Sequence, residues 1–210
     1  MIPEFHPQVL DALRQPLETG ETVIARANHR ITYPSRIQLI AAMNPCRCGR
    51  AGEPGYVCRQ GRACAERYQA RISGPMLDRI DLQIEVPAVS AADLVLPSAS
   101  EGSAEVRTRV TAARRAQLGR YAALGLARVR TNAECDGALL EEIAAPDRAG
   151  LTLLREAADA LSLSARGYHR TLRVARTLAD LDGEDKVARI HVAEALSYRG
   201  ETLRRAQAAA

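Results

Sequence analysis

A segment rich in proline, serine, alanine and glycine, residues 87–103, divides the sequence into two parts with different apolar patterns. Before this segment, short apolar runs alternate with turn residues, which is typical of mixed helices and strands. After it, apolar residues recur at helical spacing almost to the end of the chain. The sequence therefore predicts an α/β part followed by an all-helical part.

Aromatic residues are scarce: the 210 residues include one Phe, six Tyr and no Trp. A core must therefore rest on Leu, Ile, Val and Ala, which favours helices that pack through aliphatic ridges. Asp182-Gly183 is a helix stop signal between the last two predicted helices. Helices are predicted near 104–124, 137–145, 147–161, 165–181 and 187–208.

The beginning of the chain, Met1-Ile2-Pro3-Glu4-Phe5, has none of the features of a signal peptide. No apolar run approaches the roughly 18 residues that a membrane span needs. We therefore expect a cytoplasmic protein with no membrane partner, whose cysteines are reduced or bound to metal.

Residues 6–18 predict a short helix, which Thr19-Gly20 ends. The runs ETVIAR and RITYP, within residues 21–34, predict a β-hairpin with a basic loop. Arg26, His29 and Arg30 lie in or beside this loop. A basic protrusion of this kind can contact a phosphate backbone, and an ordinary surface position is the alternative for His29.

The apolar run at 37–43 predicts a strand buried on both faces of a parallel sheet. Asn44 follows directly, at the end of a strand where open α/β sheets place their ligands, and could bind a phosphate or position a water. A turn-forming Asn before Pro is the alternative. Residues 65–80 predict a helical stretch broken near Ser73-Gly74-Pro75, and the alternation at 81–86 predicts another strand.

Four cysteines lie within nineteen residues, in the spacing C-x-C-x9-C-x5-C: Cys46, Cys48, Cys58 and Cys64. Four thiolates match the ligand set of a structural zinc site, and the arginines between them would offset their charge. A loop of unligated thiols is the alternative. Cys135 is isolated, and we expect it to be inert.

Arginines in two further places could meet an anion. Arg79 stands between a predicted helix and a predicted strand, where a surface ion pair with a neighbouring aspartate is the ordinary interpretation. Arg166, Arg170 and Arg173 recur at spacings of four and three, along one side of a predicted helix. A solvated basic face is the alternative for these three.

The order of these motifs is more specific than any one of them. The blocks at 4–49 (ending NPCRCG), 73–87 (SGPMLDRIDLQIEVP) and 163–183 (LSARGYHRTLRVARTLADLDG) resemble consecutive blocks of the magnesium-chelatase-like AAA+ ATPases of the YifB/ComM family. The resemblance runs from Pro3 to about Arg199. It implies the last strands and the hairpin of a P-loop-type AAA+ core over residues 1–90, a linker at 91–103 and an α-helical lid at 104–210.

The resemblance also implies roles for single residues. It makes Asn44 the sensor 1 residue, Arg79 the arginine finger for ATP in a neighbouring subunit, and Arg166 the sensor 2 arginine. Arg170 and Arg173 are the less favoured candidates for sensor 2. The hairpin corresponds to an insertion that faces DNA, and the family pattern also has four cysteines after the sensor Asn, with a closer second pair.

The resemblance further implies ATP with Mg²⁺ as cofactor, a homo-oligomeric ring, expected to be a hexamer, and DNA as partner. The chain itself contains no G-x-x-x-x-G-K-[ST] motif and no Asp-Glu pair at the end of an apolar strand. We therefore expect the chain alone not to hydrolyse ATP. The alternatives are an ATPase subunit for metal insertion into a porphyrin and a zinc-stabilised module that binds nucleic acid or regulates without turnover.

Overall fold

The computed structural model describes residues 1–50, 56, 58, 60–61, 63–87, 89, 93–95 and 101–199. The chain divides into two compact units, Met1–Ile80 and Asp81–Ala210. The domain boundaries drawn from the sequence stay predictions, and the predicted extension of the last helix past residue 199 lies outside the described residues. Across the described ranges, no helix combines the length and the apolar character needed to cross a membrane.

Two short helices, α1 (Pro7–Ala12) and α2 (Arg14–Thr19), open the first unit where the sequence predicts one. Pro16 explains the division, because it has no N–H to donate to the carbonyl four residues earlier. Gly20 ends α2 in a left-handed conformation (φ 70°), and its N–H donates to the Pro16 carbonyl at 3.0 Å. The predicted stop at this glycine is confirmed.

The predicted hairpin is confirmed as the antiparallel strands β1 (Glu21–Arg26) and β2 (His29–Pro34). Arg26 pairs with His29, which leaves a turn of two residues. Ala27, the first of these, has a positive φ of 45°, as the tightest hairpin turns require. Most residues of both strands are exposed, so the hairpin presents its tip to solvent.

The two other strand predictions, at 37–43 and 81–86, are wrong, since both segments are irregular. Ile40 is 85% exposed, so the first segment is not buried on both faces. A strand needs a neighbour that pairs with its backbone, and within the described residues the only sheet is β1 with β2. An apolar run indicates a preference for a strand but does not supply that neighbour. The observed architecture is a mixed one: helices with a two-stranded sheet.

The core of the first unit contains residues from both the beginning and the end of that unit. Helices α3 (Ala63–Gln69) and α4 (Gly74–Leu77) confirm the predicted helical stretch and its break near Ser73. The Ile2 N–H donates to the Ala42 carbonyl at 3.0 Å, which fixes the chain two residues before Asn44. The buried side chains of this core are Ile2, Leu10, Ile72, Met76 and Leu77.

The second unit is helical, as predicted. Its helices are α5 (Ser103–Ala123), α6 (Gly137–Ile143), α7 (Arg148–Ala160), α8 (Ala165–Asp182) and α9 (Arg189–Ser197). Helix α8 contacts α5, α6 and α9, and the central core residues include Leu154, Leu172 and Val192. The Ser164 hydroxyl accepts from the Gly167 N–H at 3.0 Å and so begins α8, while Gly183 (φ 76°) ends it at the predicted stop.

A buried carboxylate joins three elements of the second unit. The Asp180 side chain is fully buried and forms ion pairs with Arg120 of α5 and with Arg176, one turn earlier on α8. It also accepts from the Asn132 amide at 2.8 Å, and Asn132 accepts from the Tyr121 hydroxyl at 2.6 Å. Burial would raise the pKa of Asp180, but the hydrogen bonds from Arg120 and Asn132 and the charge of Arg176 lower it.

We expect Asp180→Asn to lower the free energy of unfolding of the second unit by about 3–5 kcal/mol, because two buried or partly buried arginines lose their counter-charge. Urea denaturation followed by circular dichroism measures the loss. The matched control is Asp159→Asn, at an exposed position of α7, which should change stability by less than about 0.5 kcal/mol. An equal loss of unfolding free energy in Asp180→Asn and Asp159→Asn would contradict a stabilising role for the ion pairs of Asp180.

The same carboxylate should make stability depend on pH. The folded pKa of Asp180 is lower than its unfolded value, about 3.9. Its stabilisation is therefore fully present above the unfolded pKa and is lost as the pH falls through the folded pKa. The free energy of unfolding of Asp180→Asn should consequently fall less steeply with acidification below about pH 4 than that of the parent chain.

Candidate metal centre and anion-facing arginines

Two tight turns shape the cysteine-rich segment, and each begins at a cysteine and ends at a glycine. The Gly49 N–H donates to the Cys46 carbonyl at 3.0 Å, and the Gly61 N–H donates to the Cys58 carbonyl at 2.9 Å. Both glycines have positive φ, 82° and 75°, a conformation that other residues adopt at a cost. The sequence patterns C-x-C-G and C-x-x-G thus fold into two similar turns.

These turns bring the four predicted ligands together. The sulfur atoms of Cys46, Cys48, Cys58 and Cys64 all lie within 4.8 Å of one another, and the Cys48 and Cys58 sulfurs are 3.5 Å apart. Cys64 lies in the first turn of α3, and it is buried, as is Cys46. Tetrahedral Zn–S bonds of about 2.3 Å place sulfurs about 3.8 Å apart, so the four residues fit a zinc ion with little movement.

The two facing thiols differ in acidity. Hydrogen bonds from the Cys46 thiol and the Arg50 backbone lower the pKa of Cys48 to about 7. For Cys58, the hydrogen bond from the Gln60 backbone is outweighed by burial and by the thiols of Cys48 and Cys64, which raise its pKa to about 11. One sulfur therefore ionises near neutral pH while its neighbour keeps a proton that a metal ion would displace.

Asn44 lies against the first cysteine turn. It is half-buried, and its amide nitrogen is 3.3 Å from the point that a Cβ on Gly49 would occupy. A Cβ at this position would push the Asn44 amide away by a few tenths of an ångström, and the positive φ of Gly49 further favours glycine. The structure thus joins the predicted sensor residue to the cysteine cluster, although its role as a sensor stays a prediction.

Arg79 is only 8% exposed, so the ordinary interpretation as a surface ion pair is wrong. One terminal nitrogen donates to the Pro75 carbonyl at 2.7 Å, and the other forms an ion pair with Glu18 of α2. The Nε atom is buried and has no hydrogen-bond partner among the described residues. Glu18 is 61 positions away in the sequence, which is why local spacing does not reveal this pair.

The three arginines that the spacing grouped on α8 do not share one solvated face. Arg166 is exposed in the first turn of the helix. Arg170 is buried and pairs with Asp81 at 2.5 Å, while Arg173 donates from Nε to the Cys135 carbonyl at 2.7 Å. Burial and the charge of Arg170 lower the pKa of Arg173. The solvated-face alternative is therefore wrong for Arg170 and Arg173.

The basic residues of the hairpin stay at the surface. Arg26 and His29 are the cross-strand pair that flanks the turn, and Arg30 follows on β2. All three are exposed. Among the residues that sequence reasoning missed, Glu18 matters most, because the fold brings it to a charged partner 61 positions away. Arg176 was also missed, although its partner Asp180 lies only four residues later on α8.

Comparison with known proteins decides the family. Residues 1–94 match the family described as "Magnesium chelatase, subunit ChlI", and residues 100–199 match the one described as its C-terminal part. The chain belongs to the magnesium-chelatase-like family. The resemblance drawn from the sequence motifs is thereby confirmed.

Curated relatives match almost all of this chain. The competence protein ComM of Haemophilus influenzae is 42% identical over 206 residues, which are 94% of this chain and 37% of ComM. The YifB protein of Escherichia coli K12, described as uncharacterized, is 40% identical over 199 residues, 94% of this chain and 38% of YifB. A protein of Mycobacterium tuberculosis is 42% identical over 204 residues, 96% of this chain and 39% of the relative. The chain thus spans under two fifths of their length.

If the four cysteines hold zinc, the purified chain should contain about one zinc per molecule, and both Cys46→Ser and Cys58→Ser should lose it. Released metal can be measured with a chromogenic chelator. Cys135→Ser, in the second unit, is the matched control and should keep its metal. Because the ligands must deprotonate, zinc affinity should rise with pH. A Cys46→Ser variant that still contains one zinc per molecule would contradict the prediction that the four cysteines hold zinc.

Proposed function

We propose that this chain is part of a ring-forming AAA+ ATPase motor that acts on DNA in recombination or transformation. The observation that carries the proposal is the match over almost the whole chain to a competence protein within the magnesium-chelatase-like family. The exposed basic tip of the hairpin supports DNA as the partner, since Arg26, His29 and Arg30 can reach phosphate oxygens. The whole protein would form the ring, which we expect to be a homohexamer.

In this proposal, Asn44, Arg79 and Arg166 respond to ATP and Mg²⁺ held by the assembled ring. Phosphoryl transfer spreads negative charge over the γ-phosphate oxygens, which positioned cations and donors stabilise. Arg79 would reach the nucleotide of a neighbouring subunit, so hydrolysis would depend on a closed interface. To do so, its guanidinium would exchange the Glu18 carboxylate for phosphate oxygens.

Arg166 is the better supported of the three candidates for sensor 2. Arg170 is buried and Arg173 is half-buried, so neither side chain is open to solvent. Arg166 is exposed at the N-terminal turn of α8, where the backbone N–H groups also favour an anion. A change in lid angle would then move Arg166 relative to a bound nucleotide.

Zinc, when bound, would act as a structural cross-link. It would join the segment after Asn44 to helix α3, because Cys46 and Cys64 come from these two places. The cytoplasm, which we propose as the location, keeps such thiols reduced and able to bind metal. Through the contact with Gly49, the metal centre would also hold the Asn44 amide in position.

A second candidate is an ATPase subunit for metal insertion, which the description of the matching family favours. The basic hairpin and the cysteine cluster favour the DNA motor, because metal insertion requires neither. The third alternative, a module that binds nucleic acid without turnover, shares the hairpin and the zinc site and differs in having no ATPase cycle.

DNA binding through the hairpin predicts a salt effect. Arg26→Ala with Arg30→Ala should weaken binding of a labelled single-stranded oligonucleotide and reduce the salt slope by about 0.7 for each phosphate that the hairpin no longer neutralises. Fluorescence anisotropy at several salt concentrations measures both. The control is Arg107→Ala with Arg115→Ala, at two exposed positions of α5. Absence of any binding at low salt would contradict a DNA contact by this chain.

The chain alone should not hydrolyse ATP, because its sequence contains no motif that grips the phosphates. Phosphate release by the purified chain should equal that by its Arg79→Ala variant, with both at background. The variant separates true turnover from a contaminating ATPase, which would be unaffected by the substitution. Turnover that disappears in Arg79→Ala would contradict the prediction and would support a catalytic role for this arginine.

A further inference from the structure

A small cavity in the first unit lies beside the cysteine cluster and is surrounded by arginines. Its lining consists of Arg47, Gln60, Cys64, Arg67, Tyr68 and Arg71, which we call the arginine cavity. Arg47 comes from the first cysteine turn, whereas Arg67 and Arg71 come from α3 and the turn that follows it. Two segments distant in sequence thus place three positively charged side chains around one cavity.

Among the residues that the structure describes, no carboxylate lines the arginine cavity. The Glu4 carboxylate lies nearby but accepts from the Tyr68 hydroxyl at 3.1 Å. Within the described residues, none of the three arginines has an ion pair with an acidic side chain. Another depression of this unit differs from it, because Asp11 and Glu18 line that depression beside Arg79. The charge of the described lining residues therefore favours an anion in the arginine cavity.

The dimensions of the cavity narrow the choice of anion. Its volume is about 180 Å³, the space of about six water molecules. Pockets for whole small-molecule ligands are larger, about 300–1,000 Å³. A single phosphate group with part of its hydration fits inside the cavity, and a sugar and base attached to it would lie outside.

The chemistry of the lining also suits phosphate. Arginine presents a planar fork of donors that matches phosphate oxygens, better than a lysine point charge does. The Arg67 Nε donates to the Ala63 carbonyl at 3.1 Å, which anchors this side chain on α3 and leaves its two terminal nitrogens for a ligand. Tyr68 and Cys64 are buried and form the inner wall.

We propose that the arginine cavity binds a phosphate group, which either a nucleic-acid backbone or free phosphate could supply. The competing interpretation is that these arginines only offset the negative charge of a zinc ion with four thiolates. The inference does not rest on the motor proposal, since the cavity and the hairpin are different surfaces. A chain without ATPase function could still bind phosphate here.

The test compares two triple variants of the full, zinc-loaded chain. Arg47→Gln/Arg67→Gln/Arg71→Gln removes the three charges of the arginine cavity. Arg107→Gln/Arg115→Gln/Arg128→Gln removes three charges from exposed positions of the second unit and leaves the same net charge. The probes are labelled oligothymidylate, which has a phosphate backbone, and inorganic phosphate. Zinc content and circular dichroism accompany every measurement.

For the cavity variant, we expect oligothymidylate affinity at low salt to fall by about tenfold and the salt slope to shrink by about 0.7, the value for one phosphate. The control variant should change affinity by less than about twofold. Loss of inorganic phosphate binding with unchanged oligothymidylate binding would support the phosphate site with a free ion as its source. Equal losses of oligothymidylate affinity in the cavity variant and the control variant would overturn the proposal.

Zinc loss with both phosphate probes still bound would also overturn the proposal and would support charge compensation of the metal. If the triple variant loses its fold, Arg71→Gln alone serves as the test, because this residue lies beyond the end of α3. It should weaken oligothymidylate binding by about threefold while zinc content is unchanged. An unchanged affinity in this folded variant would overturn the site.

Discussion

The proximity of four cysteine sulfurs is the main electrostatic constraint on the cysteine-rich part of the first unit. As thiolates within 4.8 Å of one another they would repel, so a proton or a cation must lie between them. Hydrogen bonds among these thiols and from nearby backbone N–H groups contribute to the opposite pKa shifts of Cys48 and Cys58, and the charge of Cys48 adds to the rise at Cys58. A zinc ion would replace the shared protons and fix two glycine-ended turns and the start of α3 with respect to one another.

Several features of the first unit follow from this cluster. Asn44 contacts the first cysteine turn through Gly49, and Arg47 projects from the same turn into the arginine cavity. The other two arginines of the cavity come from α3 and the turn after it, and α3 begins beside Cys64. If the cysteines bind zinc, the proposed sensor position and the proposed anion-binding cavity would both be built on one cross-link. Removal of the metal would be expected to affect both together.

Local sequence patterns predicted most helices and turns of this protein. They did not predict pairing between residues that are distant in the sequence. Gly20 and Gly183 marked helix ends correctly, and the spacing of apolar residues located α5 to α8 and the start of α9 within a few residues. The apolar run at 37–43 was misleading, because a strand exists only with a partner that its own residues do not specify. The four cysteines could be grouped by number and compartment, whereas the Arg79–Glu18 pair spans 61 positions and leaves no local pattern.

The pair of Arg79 with Glu18 also has an energetic consequence for any ligand that Arg79 is to meet. The guanidinium is mostly buried and its two terminal nitrogens are already bonded, to a carboxylate and to a carbonyl. An incoming phosphate would therefore gain only the difference between its own attraction and that of Glu18, because binding is an exchange of partners. Discrimination between nucleotide states would then depend on how much negative charge the ligand carries at the point of exchange. A weakly charged ligand would leave the arginine where it is.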